Sequence, residues 1–430
     1  MYDNWNKLIN QNGMLIQTLR LYPELDKIKL ANKIGVSSPT LYKALDELKK
    51  NEVILDNTKL NPLFGTFIGI SIGTTYCKVI FLHFDFSRYT VDEFSPFVDE
   101  IKESYGSIKD EKIFRDDKQN YLYIQTPESF SELKQFINTV FNCVKTFIEA
   151  GRLNILGIGI SSTGTINEKE QAILQSHNLP YLDNRKIADL CYDDKLDFFK
   201  KNDITLYLIQ NSNAAVIAEK YQLYDYKEND GDNDTILHNN MVALYLEYGV
   251  GVGFVLNNQL FAGKSGFAGE IGHIEIPISF QDEFHELIKS TNFDMSSTCT
   301  CGSKYCIDHI IRSLAFSNTD QKFRIMTSNN IATHLSHCSE NAKCLGFLLG
   351  YIANVLASIL NISLVILTGK LYMSNEILSS YIEQKKDDNY LKFNRSDYEI
   401  NFSKIGTLAP AIGAAIYSYH KKCDIDVVWN

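Results

Sequence analysis

No stretch of the amino-acid sequence reads as an export signal or a membrane anchor. The first residues, MYDNWNKLINQNG, lack an apolar segment flanked by a cleavage site, and no uninterrupted apolar run reaches the length that crosses a bilayer. A protein that stays in the cytoplasm, without membrane partners, is expected. A paired-cysteine framework is missing too, because the nine cysteines are odd in number and only three of them cluster. In a reducing compartment this favours metal ligation over disulfides. Basic charge is short as well, with 42 Lys and Arg against 52 Asp and Glu. The shortage is uneven: residues 1–60 hold nine basic and seven acidic residues, net +2, which leaves 33 and 45, net −12, for the remainder. A polyanion is therefore more readily met by the amino-terminal segment than by the acidic body.

The rest of the composition, 45% hydrophobic and 22% charged, is that of an ordinary globular protein, and 430 residues exceed what one core usually serves. Two or three domains are expected. In the first 62 residues, Leu8, Ile9, Leu15, Ile16 and Leu19 have the spacing of a first helix or helix pair. A second helix follows over about Lys27 to Ile34, with Gly35 suited to end it. Ser38 then serves as an N-cap and Pro39 as the first residue of a third helix, whose Leu41, Ala44, Leu45 and Leu48 face inward. Two short helices joined by Gly-Val-Ser match the helix-turn-helix plan. On it, Ser37, Ser38, Thr40, Tyr42 and Lys43 face the major groove or its phosphates, and Lys33, Lys49 and Lys50 add backbone contacts. Val53, Ile54 and Leu55 with Asp-Asn-Thr supply a strand and turn of a short wing. The same periodicity and capping would also serve a plain three-helix cap.

After Asn61-Pro62 the pattern changes. TFIGISIGTTYCKVIFLHF reads as a β-hairpin turning at Gly73-Thr74-Thr75, residues 86–130 read as polar and irregular with a charged surface loop at Lys109–Lys118, and SELKQFINTVFNCVKTFIEAG is an amphipathic helix. Strands and helices then alternate: ILGIGISS, ITLYLIQN into NAAVIAEKY, MVALYLEYG, LGFLLGYIANVLASIL into SLVILTGK, and IGTLAPAIGAAIYSYH. The class is α/β.

The densest chemistry runs from Gly263 to Asp308. GKSGFAGEIGHIEI places Glu270 and His273 three apart in a glycine-rich turn, and CTCGSKYCID adds Cys299, Cys301 and Cys306. Three thiols and one imidazole make a closed Cys3His set of the kind structural zinc prefers. The alternative is three buried free cysteines and a core histidine. The stretch Glu275–Thr298 lengthens the loop that such a site would close, at little entropic cost per residue. Glu270 is left uncommitted beside the loop, behind the glycine-rich GVGVGF at 249–254, as in a small-molecule pocket.

Eight segments in register over nearly the whole chain resemble the ROK family (repressors, open reading frames, kinases). They are GISIGTTYCKV at 69–79, GIGISSTGTI at 157–166, HNLPYL at 177–182, QNSNAAVIAEK at 210–220, EYGVGVGFVLNNQLFAGKSGFAGEIGH at 247–273, CTCGSKYCID at 299–308, LVILTGKL at 364–371 and APAIGAAI at 409–416. The amino-terminal helices make the chain similar to the repressor branch, that of the xylose and N-acetylglucosamine repressors. The resemblance implies a winged helix-turn-helix over 1–62 followed by a two-lobed actin-like, hexokinase-like (ribonuclease H-like) body. Its first lobe would be 63–178, with a C-terminal helix at 405–424 packing back, and its second 179–404. It further implies a zinc ion on His273, Cys299, Cys301 and Cys306, and sugar contacts at Asn178, Asn211, Glu270 and His273, with Asp308 where the family usually has glutamate. Asn178 could instead shape a turn before Leu-Pro, and Asn211 could cap the helix after it.

The family's kinases place an aspartate, the base for the attacking hydroxyl, where this chain has Ser212, and another in the first loop where it has Ser71. Thr74, Tyr76 and Val250 replace further phosphate-loop residues. Serine takes no proton at neutral pH, so loss of the base alone costs roughly 10²- to 10⁴-fold. The implied function is a sugar-responsive repressor binding operator DNA and a monosaccharide or sugar phosphate, as a homodimer or homotetramer. A sugar kinase with an appended DNA-binding head and a zinc-stabilised scaffold are the rival readings.

Overall fold

The computed structural model describes residues 2–425 except 57, 107–112, 117–119, 226–237, 277–285, 292, 295, 300, 316–327 and 388–397. It opens with α1 (Tyr2–Leu21), one helix kinked at Asn12, whose φ of −114° accompanies a side-chain bond from Nδ2 to the Leu8 carbonyl. α2 (Lys27–Ile34) is capped by Asp26, which accepts the Lys29 N–H, and ends on Gly35 at φ 71°. α3 (Ser38–Lys50) is capped by Ser37 rather than by the expected Ser38. The Ser37 backbone is extended and its hydroxyl accepts the Thr40 N–H, so Ser38 is the first helical residue and Pro39 the second. Pro is tolerated at either place, because neither N–H has a partner inside the helix. Leu41, Leu45 and Leu48 are buried as expected. The wing shrinks to one antiparallel bridge, Ile54 with Leu60, closed by the Leu55 N–H on the Lys59 carbonyl.

The body begins with the hairpin of β1 (Thr66–Ile72) and β2 (Tyr76–His83). Residues 86–130, expected to be irregular, instead contain α4 (Val91–Gly106), β3 (Ile113–Asp116) and β4 (Tyr121–Gln125). Phe94, Phe97, Val98 and Ile101 recur at helical spacing and are fully buried, and that burial outweighs the polar residues and Pro96 around them. Of the expected charged loop, 109–112 and 117–118 lie outside the described residues, and 113–116 is strand. α5 (Phe130–Glu149) buries Leu133, Phe136, Ile137, Val140 and Val144 as the sequence requires. β5 (Ile155–Ser162) follows, then the small sheet β6 (Thr165–Asn167), β7 (Ala172–Gln175) and β8 (Arg185–Lys186), α6 (Asp193–Lys201), β9 (Leu206–Gln210) and α7 (Asn211–Asp225). The first main sheet has the order β3-β4-β2-β1-β5-β9.

A second sheet, β12-β11-β10-β13-β14, is built from β10 (Met241–Leu246), β11 (Val250–Leu256), β12 (Gln259–Leu260), β13 (Leu364–Gly369) and β14 (Glu399–Phe402). Both sheets follow one plan, in which a first strand pairs antiparallel with its hairpin partner and parallel with a later strand. This is the α/β architecture of two lobes expected from the sequence. The boundary expected at 178/179 is corrected: β9 still pairs with β5, so the sheets divide between 210 and 241. The reason is that the chain leaves the first sheet only through α7, which spans both lobes.

α8 (Ile307–Ala315), α9 (Ser328–His337), α10 (Ser339–Leu360) and α11 (Asn375–Asp387) cover the second sheet. Among the described residues one helix, α10, is long and apolar enough to cross a membrane, although no uninterrupted run was expected to be. It lies in the second lobe's core, with Leu345, Leu348 and Leu349 buried and Gly346 pressed against Tyr381 of α11.

The last helix, α12 (Ala409–Lys422), lies across β1 and β5 and beside α7. A Cβ at Gly413 would stand 1.7 Å from the Ala214 carbonyl oxygen, so only glycine permits this crossing. The head docks on the same helix. Tyr419 OH donates to the Gly13 carbonyl at 3.0 Å, while Tyr221 of α7 donates to Gln17 Oε1 at 2.9 Å and lies 2.8 Å from His420 Nε2. The Arg20 guanidinium packs 3.8 Å from the Phe86 ring centre and 4.2 Å from that of Tyr419, and donates to the Phe84 carbonyl.

Candidate ligand cleft and metal site

The loops that follow the carboxyl ends of β1, β5, β9 and β10 converge between the two sheets, where open α/β folds place their ligands. They enclose a cleft of ≈ 280 Å³, and Asn178, Asn211, Glu270, His273 and Asp308 all stand on its walls. The structure thus brings together in one place five residues drawn from four separate segments of the sequence.

Each is positioned by identifiable backbone. Asn211 is the first residue of α7, and its Nδ2 donates to the Ile72 carbonyl at the end of β1, 3.2 Å away. Gln210, Asn211 and Ser212 are buried, and Gln210 Oε1, Asn211 Oδ1 and Ser212 Oγ have no protein partner among the described residues. Buried polar atoms are normally satisfied, so a row of three beside a cleft marks where a polar ligand or water completes them. Glu270 is exposed and faces that row, accepting a hydrogen bond from Gln210 Nε2. Its segment is fixed to β11 at Gly269: φ is 98°, a Cβ would meet the Val252 carbonyl oxygen at 1.8 Å, and the Val252 N–H donates back to the Gly269 carbonyl. Only glycine fits there.

Asp308, at the start of α8, accepts the Val250 N–H at 2.9 Å on Oδ1, with Arg312 Nη1 3.9 Å from Oδ2. Burial raises its carboxyl above the ordinary range, opposed by Arg312 and His273. One oxygen is therefore spent holding the glycine-rich turn. Asn178 is half-buried and approaches Gly249 beside Asp308.

His273 closes a 3-10 turn, Ile271–His273, with Nδ1 3.8 Å from Cys299 Sγ. Donor atoms of His273, Cys299, Cys301 and Cys306 all lie within 4.8 Å of one another. The thiol segment is a tight turn, with the Gly302 N–H on the Cys299 carbonyl, the Cys299 N–H on the Ser303 carbonyl and Gly302 at φ 89°. An isolated bridge between Glu275 and Cys306 ties it to the segment that follows the histidine's turn. The cluster can hold a metal ion, since ligand bonds of about 2.0–2.3 Å from a common centre to nitrogen and sulfur require donors packed at this density. Of the long stretch Glu275–Thr298, residues 277–285, 292 and 295 lie outside the described residues.

None of the helix-turn-helix residues lines this cleft. Ser37, Ser38, Thr40, Tyr42 and Lys43 are all exposed on α3 and its cap. Sequence reasoning missed Gln210, which orients Glu270, although it sits inside the QN segment. It also missed Glu247, 5% exposed, whose carboxylate fills the space beside Gly73 between the lobes. Lys78 Nζ lies 3.6 Å from Glu247 Oε1 and donates to the Thr407 carbonyl, and Lys370 Nζ donates to Thr75 Oγ1 at 3.0 Å. Burial pushes Lys370 down to about 8, partly offset by Glu247. The available signal was a single charge inside each apolar segment, CKVIFL, LYLEY and ILTGKL.

Residues 105–421 match the sequence model of the ROK family. The chain belongs to the ROK family. A xylose repressor of Bacillus spizizenii is 22% identical over 425 residues, covering 95% of this ROK chain and 94% of its own length. A solved ROK family transcriptional regulator, a homologue of the E. coli MLC protein, is similar with a TM-score of 0.61 at 16% identity, covering 95% of this chain and 97% of that one. A ROK family glucokinase from Streptomyces griseus, solved with glucose and AMPPNP, gives 0.52 at 17% identity and covers 82% and 99%. At these identities the likeness is one of fold, and the regulator's fold accounts for more of this chain than the kinase's does.

Proposed function

We propose that this ROK protein is a sugar-responsive transcriptional repressor that works in the cytoplasm without catalysing phosphoryl transfer. The observation that carries the reading is the row Gln210, Asn211 and Ser212, buried polar atoms without protein partners, facing the exposed carboxylate of Glu270. Amides and carboxylates on a partly dry wall satisfy the paired donor and acceptor character of sugar hydroxyls. Asn178, Asn211, Glu270 and His273 are assigned to the sugar, with Asp308 at its edge. A zinc ion on His273, Cys299, Cys301 and Cys306 would hold the loop that carries Glu270.

Ser212 stands at the helix start where the kinases need a base, and its hydroxyl takes no proton at neutral pH. Between the two turns that would cradle phosphates, Lys78 pairs with Glu247 and donates to the Thr407 carbonyl, and Lys370 donates to the Thr75 hydroxyl. Ser37, Ser38, Thr40, Tyr42 and Lys43 are assigned to operator DNA, read by two heads of a dimer, or of a tetramer, at fixed half-site spacing. Sugar binding favours one lobe arrangement through its differential affinity. α7 starts at Asn211 in the cleft and carries Tyr221 against Gln17 of α1, which is a direct mechanical link to the head.

The test is operator binding with and without a panel of monosaccharides. Glu270→Gln should leave sugar-free DNA binding within about 2-fold and lower sugar affinity by roughly 10²-fold, two hydrogen bonds to a charged group. An unchanged sugar response in E270Q overturns the assignment. Sugar-dependent ATP consumption near the ~1 s⁻¹ floor of ordinary kinases would establish the rival reading.

A further inference from the structure

We infer that the cleft takes an uncharged monosaccharide and rejects its phosphate esters, with Glu247 as the residue that sets the rejection. The inference rests on the sugar-binding reading above and adds the chemical class of the effector. Among the described residues, the cleft lining contains three carboxylates, Glu247, Glu270 and Asp308, and two imidazoles, His177 and His273, but no lysine or arginine. A site built for a phosphate ester supplies charged donors in forks or clusters. This lining supplies the opposite sign.

The nearby cations are committed elsewhere. Arg312 lies behind Asp308, 3.9 Å from its Oδ2, with its guanidinium 5.0 Å from the Tyr248 ring centre. Lys78 and Lys370 are each 3% exposed and do not line the cleft. Lys78 donates to the Thr407 carbonyl and pairs with Glu247, and Lys370 donates to Thr75. Glu247 stands between these lysines and the open space. Its Oε2 accepts from Tyr245 OH at 3.2 Å and stands 2.6 Å from where a Cβ on Gly73 would lie, and its Oε1 is 3.6 Å from Lys78 Nζ, so the carboxylate is held against the first turn by the tyrosine hydroxyl and the ammonium.

Glu270 and Asp308 approach from the metal-bearing wall, whereas Glu247 closes the seam where the first turn, Gly73–Thr74, meets the second, Glu247–Gly249. A free hydroxyl directed at that seam can donate to Glu247. An ester phosphate directed there meets the Glu247 carboxylate, and one directed at the other end meets Glu270 and Asp308. If the site's histidine and three thiols hold a divalent zinc ion, that group carries a net −1 and deepens the same bias.

Titration calorimetry on the zinc-loaded full-length protein tests this with free aldopentoses, aldohexoses and N-acetylhexosamines, each beside its phosphate esters. At least one free sugar should bind, with its ester at least 100-fold weaker, and raising salt from 0.05 to 0.5 M should narrow that gap. Glu247→Gln should narrow it at least 10-fold. An ester that binds as tightly as its free sugar, or more tightly, overturns the inference and leaves the sugar-binding reading standing. Absence of binding by every saccharide in both forms overturns both. A gap that E247Q leaves unchanged removes Glu247 from the role, and the wild-type comparison with its salt series decides the rest should that variant fail to fold.

Discussion

On one side of the cleft, Gln210, Asn211 and Ser212 sit where β9 becomes α7, and α7 is locked to α12 at Gly413 and to β11 at Gly253, each glycine pressed on a backbone carbonyl. On the other side, Glu270 and His273 sit on a segment whose regular structure is one 3-10 turn, close to a Cys3His cluster. The first wall is held by close packing of helices and sheet, and the second by a few glycine contacts beside four donor atoms that could hold a metal ion. Where the chain has too little apolar surface to fix a loop, ligation can do so, because metal binding is coupled to folding. The two walls should accordingly fail under different conditions.

The largest effect is expected on the wall beside the Cys3His cluster. Cys306→Ser, or exhaustive chelation, should remove one equivalent of zinc measured by atomic absorption, weaken sugar binding by about 100-fold or more, and lower Tm by roughly 10 °C. Unchanged Tm in chelator would show that the loop holds itself. On the packed wall, Gly413→Ala should cost about 3 kcal/mol by overpacking α12 against Ala214, and lower Tm by a similar margin with or without chelator. A loss that appears only in chelator would mean that the two walls are not independent.

A smaller, pH-dependent effect belongs to α7 itself. Glu219 is 3% exposed and accepts from Thr368 and Ser403, and burial raises its carboxyl to about 7. The native state thus holds this proton where the unfolded chain has released it. The contribution is full below about pH 4.5 and is lost as pH rises through 7, on the order of 3 kcal/mol in all. Glu219→Gln should flatten urea-derived stability between pH 5 and 8, and a persisting slope would assign it to another group. The smallest effect is expected at the head: Tyr221→Phe should leave sugar and operator affinities measured separately near wild type, while reducing the effect of one on the other by about 3-fold. Undiminished coupling would remove α7 from the path.

Most of the architecture was legible because it rests on periodicity and glycine placement. The hairpin at Gly73, the buried stripe of α5, Gly35 as a helix stop and the convergence of five site residues all follow from side-chain pattern or from segments kept in register. What escaped was set by tertiary context. α4 was hidden because Asp, Glu, Ser and Pro96 interrupt a stripe of four buried residues that only the sheet beneath explains. The N-cap moved by one residue because Ser37 and Ser38 are chemically alike, and only backbone extension at Ser37 chooses between them. The lobe boundary was missed because β9 joins the first sheet through pairing with β5, a relation that composition does not record. Glu247 and its lysines were passed over because each is a lone charge in an apolar strand or just beyond one, and what joins them is the meeting of two lobes.

The bond from Tyr419 to Gly13 joins positions 406 residues apart, and α12 is also the surface on which β1 and β5 rest. Translation delivers the first helices of the head long before the helix on which they dock. Long-range closure of this kind is slow, and domains settle as their parts emerge from the ribosome. An unfinished copy therefore carries a recognition helix with no fixed bearing on its own body. The bearing of α3 on the body is thus set only in chains in which α12 has been made and has folded.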